Sequence, residues 1–186
     1  MEKLFLEHGY TSLNKKGEEL CRDNVECLAD SGHTTLVLAD GLGSGVKANI
    51  LATLTSKILC TMVANEMSMD ECVETVVQTL PVCKVRQVAY ATFSVVHLGT
   101  DGKGWLFEFD NPEAILIRDG KTADFERVER DILGKKVYGT RLELRPDDYI
   151  VLMSDGVIHA GIGMLLNFGW LRKDVKEYLD KNFKKG

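Results

Sequence analysis

The order of apolar and polar residues changes period several times along the chain, and each change marks an element. Residues 3–10 and 24–30 read as short strands. The run from His33 to Ala39 is apolar and rich in β-formers, and it stops at Asp40-Gly41. After a glycine-rich turn, Leu51, Leu54, Ile58 and Met62 recur at helical spacing, so a helix is expected to about residue 64. Ser68 and Glu71 form a capping box, and Met69, Cys72, Val73, Val76, Val77 and Leu80 make one apolar stripe that Pro81 ends. From Ala89 the pattern turns to strands, over about 89–98, 104–110, 113–118, 122–128, 140–145 and 148–154. Asp101-Gly102 and Asp119-Gly120 fall between apolar runs as hairpin turns. A last helix, about 168–183, carries Val175, Tyr178, Leu179 and Phe183 on one side.

A helix pair set between two blocks of strands predicts an α+β fold: two antiparallel sheets face to face, with helices outside. A doubly wound parallel sheet would need strands and helices in regular alternation. No repeat, low-complexity tract or linker interrupts the chain, so residues 1–186 are expected to form one domain. A formal net charge of −5 argues against a dedicated nucleic-acid binder, which would carry a basic face. The five cysteines are odd in number and lack a CxxC pair, which fits free thiols in a reducing compartment. The first ten residues lack a charged-then-apolar leader pattern, and no run of about 18 apolar residues occurs, so a cytoplasmic chain without a membrane partner is expected.

Four Asp-Gly pairs occur, and their surroundings separate them. Those at 101 and 119 lead from strand to strand and need no explanation beyond a turn. Asp40-Gly41 and Asp155-Gly156 each follow an apolar strand and lead away from the strand pattern. A carboxylate at the end of a buried strand is costly unless paired, and two lying side by side repel. A hard divalent cation resolves that conflict through carboxylate and carbonyl oxygens, and the glycine lets its carbonyl come close. On the residues alone, the site reading and a reading as ordinary turns or caps are evenly balanced. The stretch Gly41-Leu42-Gly43-Ser44-Gly45 is neither a Walker loop nor a dinucleotide fingerprint, so nucleotide binding is a weak third reading.

The segments 38–48 and 152–157 resemble the two aspartate motifs of the metal-dependent phosphatases related to protein phosphatase 2C, nearest the sporulation stage II protein E branch. Leu80 to Arg86, Ala89 to Phe93 and Arg22-Asp23-Asn24 are similar to that branch too, in the right order. The resemblance implies a central β-sandwich flanked by helices. It implies hydrolysis of phosphoserine or phosphothreonine by a water bridging two Mg²⁺ or Mn²⁺ ions. Asp40 would bridge both ions, the Gly41 carbonyl would bind one and Asp155 the other, with Asp23 holding a metal-bound water. The implied partner is a phosphoprotein of the anti-sigma-factor-antagonist kind, and a homodimer is allowed.

Relatives normally close with a further acidic motif and a last apolar strand, whereas this sequence stops at Lys184-Lys185-Gly186. The expectation is a domain cut before that strand, with a weakened second metal site, an exposed sheet edge and little activity in this chain. Asp174, Glu177 and Asp180 read as a solvated helix face. Asp110 departs from the small residues usual in its loop and reads as a turn cap. His33 and His97 read as ordinary polar positions, and among the histidines His159 alone merits a test. The cysteines read as small apolar residues, and Arg22 as either a phosphate contact or a surface arginine. A non-catalytic regulatory module with the same fold is the alternative to an enzyme.

Overall fold

The computed structural model describes residues 3–14, 20–79, 91–162 and 169–184. Strands β1 (Asp23–Ala29) and β2 (His33–Gly41) precede helices α1 (Gly45–Ala64) and α2 (Met69–Thr79). Then come β3 (Ala91–Gly99), β4 (Lys103–Phe109), β5 (Ile115–Arg118), β6 (Lys121–Ala123), β7 (Val128–Ile132), β8 (Lys135–Glu143) and β9 (Tyr149–Val151). The short α3 (Asp155–Ile158) and α4 (Arg172–Asn182) follow. Every pairing is antiparallel, giving one sheet in the order β1-β2-β3-β4-β8-β7 and a second in the order β6-β5-β9.

Strand alternation builds the layers. One face of the six-stranded sheet presents Val37, Ala39, Phe93, Val95, Phe107 and Val137 to Leu59 and Val63 of α1 and to Val73 and Val76 of α2. The other face presents Val96, Leu98, Leu106 and Leu142 towards Ala114, Ile150 and Leu152. A third cluster of Ile115, Met153 and Val175 seats α4 on the small sheet. The layers therefore run helix, sheet, sheet, helix, as the strand and helix order predicts. Each fully buried Phe93 or Leu59 is worth roughly 1.5–3 kcal/mol of transfer free energy.

The capping box forms as expected: Ser68 N donates to Glu71 Oε2 at 3.0 Å, and Glu71 N donates back to Ser68 Oγ at 3.3 Å. Three expectations need correction. Residues 3–10 are extended but pair in no ladder; Leu4 N donates to Thr100 O at 2.7 Å, and Leu6 packs between the sheets. The expected strand 122–128 is two separate elements, the end of β6 and the start of β7. The strand expected at 140–145 begins at Lys135, because a tight Leu133-Gly134 turn with both φ positive closes a β7–β8 hairpin. Helix α1 has the length and mean hydropathy of a membrane span, with Lys47, Asn49 and Lys57 interrupting its apolar residues. Its Ala52, Leu59, Cys60 and Val63 lie in the core on the sheet, while Val46, Ile50 and Leu54 face outward. The stretch 80–90, including Pro81, Cys83 and the second family-like segment, lies outside the described residues.

Candidate metal centre

The site forms at one end of the sandwich. Asp23 of β1 pairs in register with Asp40 of β2, and Asp40 with Thr92 of β3. Directly opposed residues of an antiparallel sheet share a face, so these three side chains form one row. Since Leu36 and Leu38 share that face with Asp40, the row looks into the gap between the sheets.

Asp155 reaches the same place from the other sheet. β9 ends at Val151, and Asp155 opens α3 after three further residues. This corrects the picture of two adjacent interior strands each ending in an acid: β9 is an edge strand among the described residues, and the two aspartates meet across the sandwich. The Asp155 carboxyl lies close enough to Asp40 to raise it, so the two acids crowd one another.

Asp40 is only 7% exposed. Burial, then the charges of Asp23 and Asp155, push its carboxyl up to about 7, and only Arg22 pulls the other way. Three carboxyl groups thus converge with one nearby cationic side chain acting on the buried member. Ser154 Oγ donates to Asp23 Oδ2 at 2.8 Å, tying the α3 loop to β1. Arg22 Nη1 donates to Gly43 O at 3.1 Å, and Gly41 N donates to Arg22 O at 3.0 Å, so the arginine braces the glycine loop beside Asp40.

Gly41 is required for a steric reason. A Cβ there would lie 1.9 Å from Ala48 O, because α1 packs directly on the strand end. The following Gly43 and Gly45 have φ of 109° and 64°, a conformation that side chains other than glycine resist, and they turn the chain into α1.

The donor set fits a divalent cation. It is all hard oxygen, it carries excess negative charge, and the raised Asp40 carboxyl marks where positive charge is wanted. Among the described residues no group of three or more His, Cys, Asp and Glu side chains forms a ready-made cage. The two observations agree for an ion of the Mg²⁺ kind, which keeps several waters and takes one or two carboxylates.

The other sequence candidates lie elsewhere. His33 and His97 stack at 5.0 Å at the opposite end of β2 and β3, and His97 stacks on Trp105 at 5.1 Å. His159 is exposed and ends α3. Cys60 and Cys72 are buried, and burial pushes both thiols up to about 11, which makes them poor nucleophiles. Asp110 is exposed at φ 53°. Asp180 is no idle surface acid: it accepts Thr122 N at 2.7 Å and Thr122 Oγ1 at 3.1 Å, clamping α4 to β6. Sequence reasoning passed over Glu108, a buried acid between two phenylalanines, and Asn111; an acid alternating with aromatics was the available signal.

Solved structures share this architecture. The RsbU and RsbW domains of a Mycobacterium tuberculosis protein superpose with TM-score 0.65 at 20% identity, covering 90% of this chain and 53% of that one. The PP2C phosphatase domain, with a fragment of the regulatory domain, of the cell fate determinant SpoIIE from Bacillus subtilis gives TM-score 0.68 at 16% identity, covering 89% and 49%. RsbX, crystallised in complex with magnesium, gives 0.61 at 20% identity, covering 91% and 83%. The chain thus spans about half the length of the first two structures. Comparison with curated proteins by sequence gives no match. The fold is that of the PP2C-type phosphatase domains, a class whose general function is metal-dependent Ser/Thr dephosphorylation. The family model for stage II sporulation protein E matches residues 30–183, and the chain belongs to that family.

Proposed function

We propose that this chain hydrolyses phosphoserine or phosphothreonine on a regulatory phosphoprotein, using Mg²⁺ or Mn²⁺ held by Asp40, Asp155 and the Gly41 carbonyl, with Asp23 beside them. The observation that carries this reading is the buried Asp40 carboxyl, crowded by Asp23 and Asp155 and pushed up to about 7. Divalent cations bound there supply the charge that activates water and neutralises phosphoryl oxygens. In the overall reaction water adds to phosphorus, the bond from phosphorus to the seryl or threonyl oxygen breaks, and that oxygen leaves with a proton. The protein's own part is placement. Asp40 and Asp155 would hold the cation between them, its charge relieving the crowding that raises Asp40, and Ser154 fixes the Asp23 carboxylate through one lone pair. Arg22, already held against Gly43 O, offsets part of the carboxylate charge.

Membership of the family supports the same reading for the substrate, a phosphoprotein of bacterial signalling such as an anti-sigma-factor antagonist. One observation favours a second reading, a regulatory module without catalysis: the absence, among the described residues, of a preformed three-ligand cage. Hydrolysis of an aryl phosphate with and without Mn²⁺ separates the two. The enzyme reading expects Mn²⁺-dependent turnover that falls by at least about 10³-fold in Asp40→Asn, in line with the loss of a main electrostatic contributor. No turnover at any Mn²⁺ concentration, in this chain and in a longer one, would leave the module.

A further inference from the structure

We propose that Thr92 supplies a further oxygen to the cation site and that Asn111 sets it up to do so; this rests on the metal-centre reading of Asp40. Thr92 lies directly across from Asp40 in the β2–β3 ladder and shares its face, which places the two Cβ atoms about 5 Å apart. Its hydroxyl has one proton and two lone pairs. The proton is committed: Thr92 Oγ1 donates to Asn111 Oδ1 at 2.6 Å. The other end of the amide is used as well, since Asn111 Nδ2 donates to Ser94 Oγ at 3.0 Å. What remains for the Asp40 side of Thr92 is acceptor only.

An acceptor beside a carboxylate is a poor arrangement for an apo surface and a good one for a cation, which takes hydroxyl, carboxylate and water oxygens alike. The chain spends conformational energy to build it. Asp110, the residue before Asn111, sits at φ 53°, a left-handed conformation that costs a non-glycine residue roughly 1 kcal/mol. That turn delivers Asn111 inward to a position only 8% exposed, where both ends of its amide are used. With the Thr92 proton turned to Asn111, the lone pairs of its oxygen are left for a cation on the Asp40 side.

The test is Mn²⁺ binding to the whole chain, followed by the electron paramagnetic resonance signal of free Mn²⁺, with melting temperature in EDTA as the check on folding. Thr92→Val keeps the shape and removes the oxygen; its dissociation constant should rise about 10-fold, the lower end for supporting residues of metal sites. Thr92→Ser keeps the oxygen and should stay within about threefold of the parent. Asn111→Ala breaks the same tie but leaves the Thr92 oxygen, so its loss should be clearly smaller than that of Thr92→Val. Parent-like affinity in Thr92→Val, or in Asn111→Ala, overturns the proposal while Asp40→Asn still abolishes binding. If Asp40→Asn binds Mn²⁺ as the parent does, the metal-centre reading itself is wrong and Thr92 falls with it. Should Thr92→Val melt early in EDTA, Thr92→Ala takes its place with the same rise expected, and parent-like affinity there overturns the proposal.

Discussion

The inter-sheet face of the large sheet holds two buried acids, Asp40 on β2 and Glu108 on β4, and their surroundings are opposite in kind. Glu108 is 1% exposed and burial pushes its carboxyl upward, but the next two influences both pull it down. Ala114 N donates to Glu108 Oε1 at 2.7 Å, and Arg127 Nε lies 3.0 Å from Oε2 as an ion pair without hydrogen-bond alignment. Arg127 in turn lies over the Tyr138 ring at 4.0 Å. Around Asp40 the neighbours are Asp23 and Asp155, and every large influence pushes the same way. One buried acid has been given its counter-charge by the fold, and the other has been denied it. The second is where an external cation belongs.

The largest way to break this contrast is to remove the counter-charge that Glu108 has. Arg127→Met leaves a buried carboxylate without its cation, which costs about 3–5 kcal/mol in measured cases. Chemical denaturation of the metal-free chain should show that loss as a lower midpoint at unchanged slope. A change below about 1 kcal/mol would mean that Glu108 is as uncompensated as Asp40 and that the comparison fails.

A smaller effect comes from pH. The ordinary carboxyl of aspartate titrates near 3.9, and Asp40 is raised to about 7, so between those values the folded chain holds a proton that the unfolded chain has released. Stability from this group is complete below about pH 4 and is lost as pH climbs towards 7. The slope cannot exceed about 1.4 kcal/mol per pH unit, and about 2 kcal/mol should go between pH 5 and pH 7 in EDTA. Glu108 is also raised and acts in the same direction, so the Asp40 share is the part that vanishes in Asp40→Asn. Stability that stays flat or rises through that window in the parent chain, measured by urea melts, would refute the raised carboxyl.

The contrast also explains which parts of the molecule could be read in advance. Strands and helices with one apolar face were legible because burial follows period: β2, α2 and the Ser68–Glu71 cap fall where the pattern puts them. Edge strand β7 was not, since four of its five residues are exposed and alternation leaves no trace there. Asp40 and Asp155 were legible as a pair by their matching context, but not the way they meet. Sequence spacing carries no information on whether two strand ends approach within one sheet or across two. Glu108 and Asn111 were hidden by the rule that polar residues of a half-buried strand or loop face water. That rule fails where a second sheet covers the polar side, and both residues lie under one.

The finest test neutralises each acid in turn and compares the sizes of the effects. Asp40→Asn in the metal-free chain at about pH 7.5 removes repulsion from Asp23 and Asp155, and the gain should survive the cost of placing an amide there, for a net stabilisation of about 1 kcal/mol. Glu108→Gln keeps the acceptor for Ala114 N and leaves Arg127 beside Glu113, but it gives up the attraction of Arg127 that offsets part of the burial, so any gain should be clearly smaller than that of Asp40→Asn. A difference in size between one isosteric substitution at two buried carboxyls is hard to obtain from packing alone, because in both cases the shape is preserved. Adding Mn²⁺ should then reverse the order of the parent and Asp40→Asn, since only the parent gains from binding in its folded state, and leave the gap between the parent and Glu108→Gln unchanged. Equal effects at the two positions would mean that Asp40 is as well compensated as Glu108, and the carboxyls at that end of the sandwich would then be ordinary structure.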